Sequence, residues 1–251
     1  MKNIILIGSG NVATHLGLSL LNQGYTIKQV WSKQLINAKV LAKKVNSTAT
    51  NELKNIEDAD LYIISVKDNA LVSIIQKLNV NNIVHTSGSI GLEIFNSKVK
   101  NYGVFYPLQT FNKEIHLDLI TTPICIEANN KSFQKNLMRI GKDVSKKVIK
   151  MNSEQRKKIH LAAVFACNFT NHMFTIADEI LSKNNTDFKL LIPIINQTVN
   201  KLNLHKPAKI QTGPAKRKET KIINSHINQL SDKKIKELYK LISESIIKYN
   251  V

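Results

Sequence analysis

Short all-apolar runs alternate with stretches of helical periodicity along the first part of the chain. Ile4-Ile5-Leu6-Ile7 is apolar without a break, as a strand covered on both faces must be. Val12 to Leu21 then carries its apolar residues at helical spacing, and Gly24 ends the segment. The same alternation continues through a strand at Tyr25 to Trp31, a helix at Asn37 to Val45, a strand at Leu61 to Val66 and a helix at Ala70 to Leu78. Further strands are predicted at Asn82 to His85, Tyr102 to Phe105, Thr122 to Glu127 and Lys147 to Lys150. Strand alternating with helix predicts an α/β fold, a doubly wound parallel sheet over residues 1–151.

From Asn152 the pattern changes. Ser153 to Leu181 reads as one long helix, apolar on nearly every face yet carrying His160, Asn168, Asn171 and His172. Such a helix is expected to be buried all round, inside a helical domain or across a subunit interface. Its buried polar groups would then need partners, and a substrate is one candidate. Helices at Phe188 to Leu202, Thr220 to Leu230 and Ser231 to Lys248 follow, so residues 152–251 are expected to form an all-α domain.

Composition narrows the class. The chain has 251 residues, 43% of them hydrophobic, with ordinary glycine and proline counts, which is globular. No apolar run is long enough to span a membrane, and Asn11, Thr14 and His15 interrupt the opening apolar stretch that a secretory signal would need. Cys125 and Cys167 lie apart in apolar surroundings without a CxxC partner, so they are expected to be buried free thiols in a reducing cytoplasm, and no metal site is expected. The formal charge of +18 invites nucleic acid, but arginine occurs only at 139, 156 and 217, and the basic stretches lack interleaved aromatics. A lysine-rich solvated surface accounts for the charge, and no nucleic-acid partner is expected.

The chemistry begins where the first strand meets the first helix, at Gly8-Ser9-Gly10-Asn11-Val12-Ala13. A strand, a glycine turn and a helix give G-x-G-x-x-[GA] its meaning as a dinucleotide site. Gly8 permits the tight turn, Gly10 lets a pyrophosphate approach the backbone, and Ala13 is small enough for helix to meet strand. The N–H groups of Asn11, Val12 and Ala13 would face the pyrophosphate with the helix dipole behind them. An NAD site has an acid about 20 residues further on for the ribose 2′-hydroxyl. Here none occurs before Glu52, and Ser32 and Lys33, with Lys43 or Lys44 as further candidates, suit a 2′-phosphate. NADP(H) is therefore the expected cofactor.

Other candidates sit at the carboxyl ends of later strands. Ser65 and Val66 would point toward the cofactor crevice. Thr86-Ser87-Gly88-Ser89 would either lie against a nicotinamide or substrate carboxylate, or be a turn capped by Ser89. In Gln211 to Glu219, Thr-Gly-Pro marks a loop, and Arg217 in the basic triplet beyond it could pair with an acidic substrate group.

The turn at 8–13, VHTSGS at 84–89, YPLQTF at 106–111, HLAAVFACN at 160–168, TGPAKRKE at 212–219 and the His226 helix together resemble one family. It comprises Rossmann-like NADP oxidoreductases with a C-terminal helical domain of unknown function, similar in architecture to pyrroline-5-carboxylate reductase and the 6-phosphogluconate dehydrogenase group. The resemblance spans essentially the whole chain. It implies an N-terminal NADP domain and a helical domain that completes the site and forms a homodimer. Residues matching its motifs are Gly8, Gly10, Ala13, Ser87, Gly88, Pro107, Gln109, His160, Asn168, Thr212, Gly213, Pro214 and Arg217. Tyr106 departs from a His-Pro-Leu-Gln pattern, and Lys218-Glu219 replaces Gly-Asp. The expected function is hydride transfer between NADP(H) and a small carbonyl, imine or alcohol, with His160 as acid or base, Asn168 and Ser87 orienting the substrate and Arg217 binding its anionic group. The alternative is a non-catalytic NADP-binding or sensing module.

Overall fold

In the computed structural model, which describes residues 1–95 and 99–249, the first strand, β1 (Asn3–Ile7), lies inside an eight-stranded sheet. On one side of it are β2 (Thr26–Trp31) and β3 (Thr48–Thr50). On the other follow β4 (Leu61–Ile64), β5 (Ile83–His85), β6 (Tyr102–Pro107), β7 (Ile124–Ala128) and β8 (Val148–Lys150). The order is β3-β2-β1-β4-β5-β6-β7-β8, so the winding direction reverses between β1 and β4 and opens a crevice at their carboxyl ends.

Alternate strand residues serve opposite faces, and both faces are apolar. Ile4 and Leu6 join the core under α1 (Asn11–Asn22), α2 (Leu35–Lys44) and α4 (Lys131–Val144), whereas Ile5 and Ile7 join the core under α3 (Asp68–Lys77). The predicted strands are thus present. Thr48-Ala49-Thr50 has no apolar run to announce it, yet it pairs with β2 in parallel. One pairing departs from the parallel expectation: β7 runs antiparallel to β6. Residues 108–123 between them contain only a short 3-10 turn and no helix of the kind that usually carries a parallel crossover.

The chain divides into two compact units, Met1–Met173 and Phe174–Val251. Helix α5 (Ser153–Ala163) starts from a capping box between Asn152 and Gln155, and it belongs to the first unit although the sequence pattern changes at 152. It runs into a π-helical segment, Val164–Phe169, and then α6 (Thr170–Ser182). The second unit holds α7 (Ile192–Lys201), α8 (Thr220–Gln229) and α9 (Lys233–Tyr249).

The long helix is not buried all round in the single chain, contrary to its apolar pattern. Leu161, Phe165 and Phe169 are 60%, 63% and 50% exposed, and Asn168 is exposed with them. Cys167 is also exposed, so only Cys125 is the buried thiol that both cysteines were expected to be.

Candidate active site

Two glycines of the first turn are required for different reasons. Gly8 has φ +123°, and a Cβ built on it would fall 2.2 Å from the Ser65 carbonyl oxygen just after β4. Fold geometry alone demands glycine there. Gly10 has an ordinary φ of −82°, and a Cβ on it would meet no protein atom within 4 Å. Neither packing nor backbone requires glycine at 10, and the space its missing side chain leaves is open to a group that approaches the backbone from outside. Helix α1 begins at this spot with no side-chain cap and no acid in its first turn, which leaves the N–H groups of Asn11, Val12 and Ala13 and the positive dipole end open to an anion. A dinucleotide diphosphate fits that cradle.

The neighbouring loop is tied to the same helix. Asn11 Nδ2 donates to the Phe111 carbonyl at 2.9 Å, and its Oδ1 accepts from the Lys113 N–H at 3.2 Å. One turn on, His15 Nε2 lies 2.9 Å from the Asn112 carbonyl, and its ring packs against Phe111. At the end of β2, the Ser32 N–H donates to the Thr50 carbonyl, and Lys33 is exposed. Ser65 and Val66 follow β4 across the crevice, where the Thr86 hydroxyl lies 3.2 Å from Ser65 Oγ.

Beside the start of α1 is a cavity of about 380 Å³. Asn11 and Val12 contribute one wall, Tyr106 and residues 108–111 a second, and His160, Ala163, Cys167 and Asn168 a third. The π-helical segment carries Cys167 and Asn168 onto the wall that His160 begins on α5. The Tyr106 hydroxyl is 3.0 Å from His160 Nδ1, and the two rings meet edge to face. Burial pushes the Tyr106 phenol up to about 12, so it is protonated near neutrality.

A buried frame supports this corner. Arg156, only 1% exposed, ion-pairs with Glu127 of β7 and donates to the Ile90 carbonyl and to Ser153 Oγ. Glu127 also accepts from the Ser153 N–H and hydroxyl at 2.9 and 2.8 Å. Thus α5, β7 and the segment after β5 meet on one guanidinium. His85 holds the other end of that segment: the Ser87 N–H donates to Nδ1 at 3.1 Å, and Nε2 faces the Gly91 carbonyl at 3.4 Å.

Burial, with the Arg156 charge adding to it, lowers the His85 imidazole from 6.5 to about 4. The unfolded chain takes up this proton near pH 6.5, whereas the folded chain resists until about pH 4. Stability from this site is complete above 6.5 and falls as pH drops toward 4. Urea unfolding near pH 7 and near pH 5 should show about 2 kcal/mol lost by the native protein. Most of that pH dependence should vanish in His85→Asn, whose amide oxygen still accepts from Ser87. Equal losses in both proteins would mean that His85 is not held neutral.

The expected site residues do not all belong to one unit. His160 and Asn168 line the cavity with Asn11 and Val12, while Gly88 abuts the Tyr106–His160 contact. Ser87 sits in a turn, its Oγ accepting from the N–H groups of Ser89 and Ile90 at 3.1 Å, so Ser87 rather than Ser89 supplies the turn's side-chain acceptor. Arg217 belongs to the second unit and is exposed, and Glu219 holds its Nε and Nη2, each at 2.8 Å. Lys218, which stands where the resembling family has glycine, adopts φ +57°. Sequence reasoning missed the frame of Arg156, Glu127 and His85. A polar His85 ending an apolar strand and the scarcity of arginine were its only traces.

Another cavity, about 480 Å³, runs along the flank of α1 between His15, Asn22 and residues 113–119, away from the Tyr106–His160 pair. Among the described residues, no group of three or more His, Cys, Asp or Glu could hold a metal ion, and no helix is long and apolar enough to cross a membrane.

The family described as NADP oxidoreductase coenzyme F420-dependent matches residues 3–87, and a domain of unknown function, DUF2520, matches residues 122–246. BF3122 from Bacteroides fragilis, a candidate NADP oxidoreductase of known structure, is 40% identical, with a TM-score of 0.94 and 98% of each chain covered. Protein TM1727 from Thermotoga maritima is 21% identical over 98% of each chain, with a TM-score of 0.68. The reductive aminase of Aspergillus terreus, solved with NADPH and ethyl-5-oxohexanoate, is 15% identical over 99% of this chain and 94% of its own, with a TM-score of 0.71. The last two share the fold. No curated protein matches the chain.

Proposed function

Since the chain belongs to the family of NADP oxidoreductases that carry a C-terminal DUF2520 domain, we propose that it transfers a hydride between NADP(H) and a small carbonyl, imine or alcohol substrate. The observation that carries the reading is Gly10, a glycine that neither packing nor backbone needs, at an uncapped helix start beside a cavity lined by His160 and Asn168. NADP(H), when bound, supplies or takes the hydride. Main-chain N–H groups of Asn11, Val12 and Ala13 hold its diphosphate, while Ser32 and Lys33 meet the 2′-phosphate. Gly8 and Ser65 keep the turn against β4, with Val66 and Gly88 at the edge of the crevice.

His160 exchanges the proton at the reacting centre, and the Asn168 amide orients the substrate. Ser87 keeps a hydroxyl hydrogen to donate, and Arg217 exchanges Glu219 for an anionic group of the substrate. The exposed apolar residues of the helices support a homodimer, for which light scattering should give twice the chain mass. Two unpaired thiols and a reduced cofactor suit the cytoplasm.

The test pairs calorimetric titration of NADPH and NADH with a screen of carbonyl and imine acids for NADPH oxidation. Tighter binding of NADPH and turnover of one substrate class are expected. Tight NADPH binding with no turnover anywhere would favour a sensing module; no NADPH binding would end the reading.

A further inference from the structure

Where the segment after β5 meets β6 and α5, the Tyr106 hydroxyl and the His160 ring share a hydrogen bond. We propose that Tyr106 acts through His160, donating its phenol proton to Nδ1 and so committing Nε2–H to donate to a carbonyl oxygen of the substrate. This rests on the oxidoreductase reading and narrows it: the oxidised substrate offers an acceptor at its reacting centre, as a ketone or aldehyde does and a protonated imine does not.

Three observations carry it. The Tyr106 hydroxyl is 8% exposed as a residue and lies 3.0 Å from Nδ1, and Nε2 has no hydrogen-bond partner among the described residues. The Tyr106 O–H meets no other acceptor among the described residues, so donation to Nδ1 is the arrangement that uses its proton, and it leaves the ring proton on Nε2. Gly88 packs directly on the contact: a Cβ there would lie 2.7 Å from Nδ1 and 2.8 Å from Tyr106 Cζ. Any side chain at 88 would wedge the pair apart, so the turn is shaped around it.

The groups that bear electrostatically on Tyr106 are Cys125, its partner in the β6–β7 register, and Arg156 on α5. When hydride reaches the carbonyl carbon, the Nε2–H bond breaks as the product O–H bond forms, and the phenol proton passes to Nδ1. The imidazole ends neutral and the negative charge passes to the Tyr106 oxygen, where burial disfavours it and the Arg156 charge offsets part of that cost. Solvent later returns a proton to the phenol.

Nitrogen-15 NMR of the histidine rings tests this without any substrate, with the His160 signals identified by their loss in His160→Gln. Native protein near neutral pH should show protonated Nε2 and unprotonated Nδ1. Tyr106→Phe and Gly88→Ala should each give a mixture of tautomers. With a carbonyl substrate, Tyr106→Phe should lower kcat about 100-fold while NADPH affinity is kept. A protonated Nδ1 in the native protein, or an unchanged tautomer in Tyr106→Phe, would overturn the proposal. NADPH titration of the same samples reports separately on the nucleotide reading.

Discussion

Gly10→Ser should leave a folded protein, slightly more stable than the native one, that no longer binds NADPH. Residue 10 is the N-cap of α1, with extended backbone and no side-chain cap. Serine is favoured there over glycine by a few tenths of a kcal/mol, because its hydroxyl accepts from an N–H of the first turn. The same hydroxyl would occupy the space and the donors that the diphosphate needs. An affinity loss of at least about 100-fold, equivalent to about 2.7 kcal/mol, is expected in calorimetric titration. Gly8→Ala provides the contrast. Its methyl would collide with the Ser65 carbonyl at a positive φ, so it should lower the melting temperature before any nucleotide is added. Native-like NADPH binding by Gly10→Ser would show that the diphosphate does not sit on the α1 N-terminus.

Glu127→Ala should cost about 3–5 kcal/mol in urea unfolding, the range for leaving one member of a buried ion pair without its partner. The size follows from Arg156, whose side chain is 1% exposed and, among the described residues, has only the Ile90 carbonyl and Ser153 Oγ to fall back on. Its Nε already lacks a partner among the described residues. The loss should also loosen the 85–91 segment and with it the Tyr106–His160 contact. Replacing both members, Glu127→Leu with Arg156→Met, should cost much less than Glu127→Ala, because two apolar side chains of similar volume carry no desolvated charge. A loss below about 1 kcal/mol for Glu127→Ala would mean that the pair behaves as an exposed one.

Local pattern made the nucleotide half legible. Ile4 to Ile7, the turn at 8–13 and the period of α1 are neighbours in sequence, and the forces that join them act between neighbours. The same holds for the strands at 26–31, 61–64 and 83–85, each a short apolar run. The corner around Tyr106 and His160 was legible only as a set of types. His160 and Asn168 stood out as polar residues in an apolar helix, but burial within the single chain does not account for them, since Asn168 is exposed there. Whether an apolar face is covered depends on what packs over it, and periodicity carries no information about the cover.

By itself, then, the sequence determined that this chain builds a doubly wound sheet with a glycine turn after its first strand, because hydrophobic period and glycine geometry are properties of contiguous residues. Tertiary structure alone decided that β7 returns antiparallel, that Arg156 of α5 meets Glu127 of β7, and that Tyr106 reaches His160. Those pairings join residues many positions apart, and only the order in which strands enter the sheet brings them within reach of a hydrogen bond.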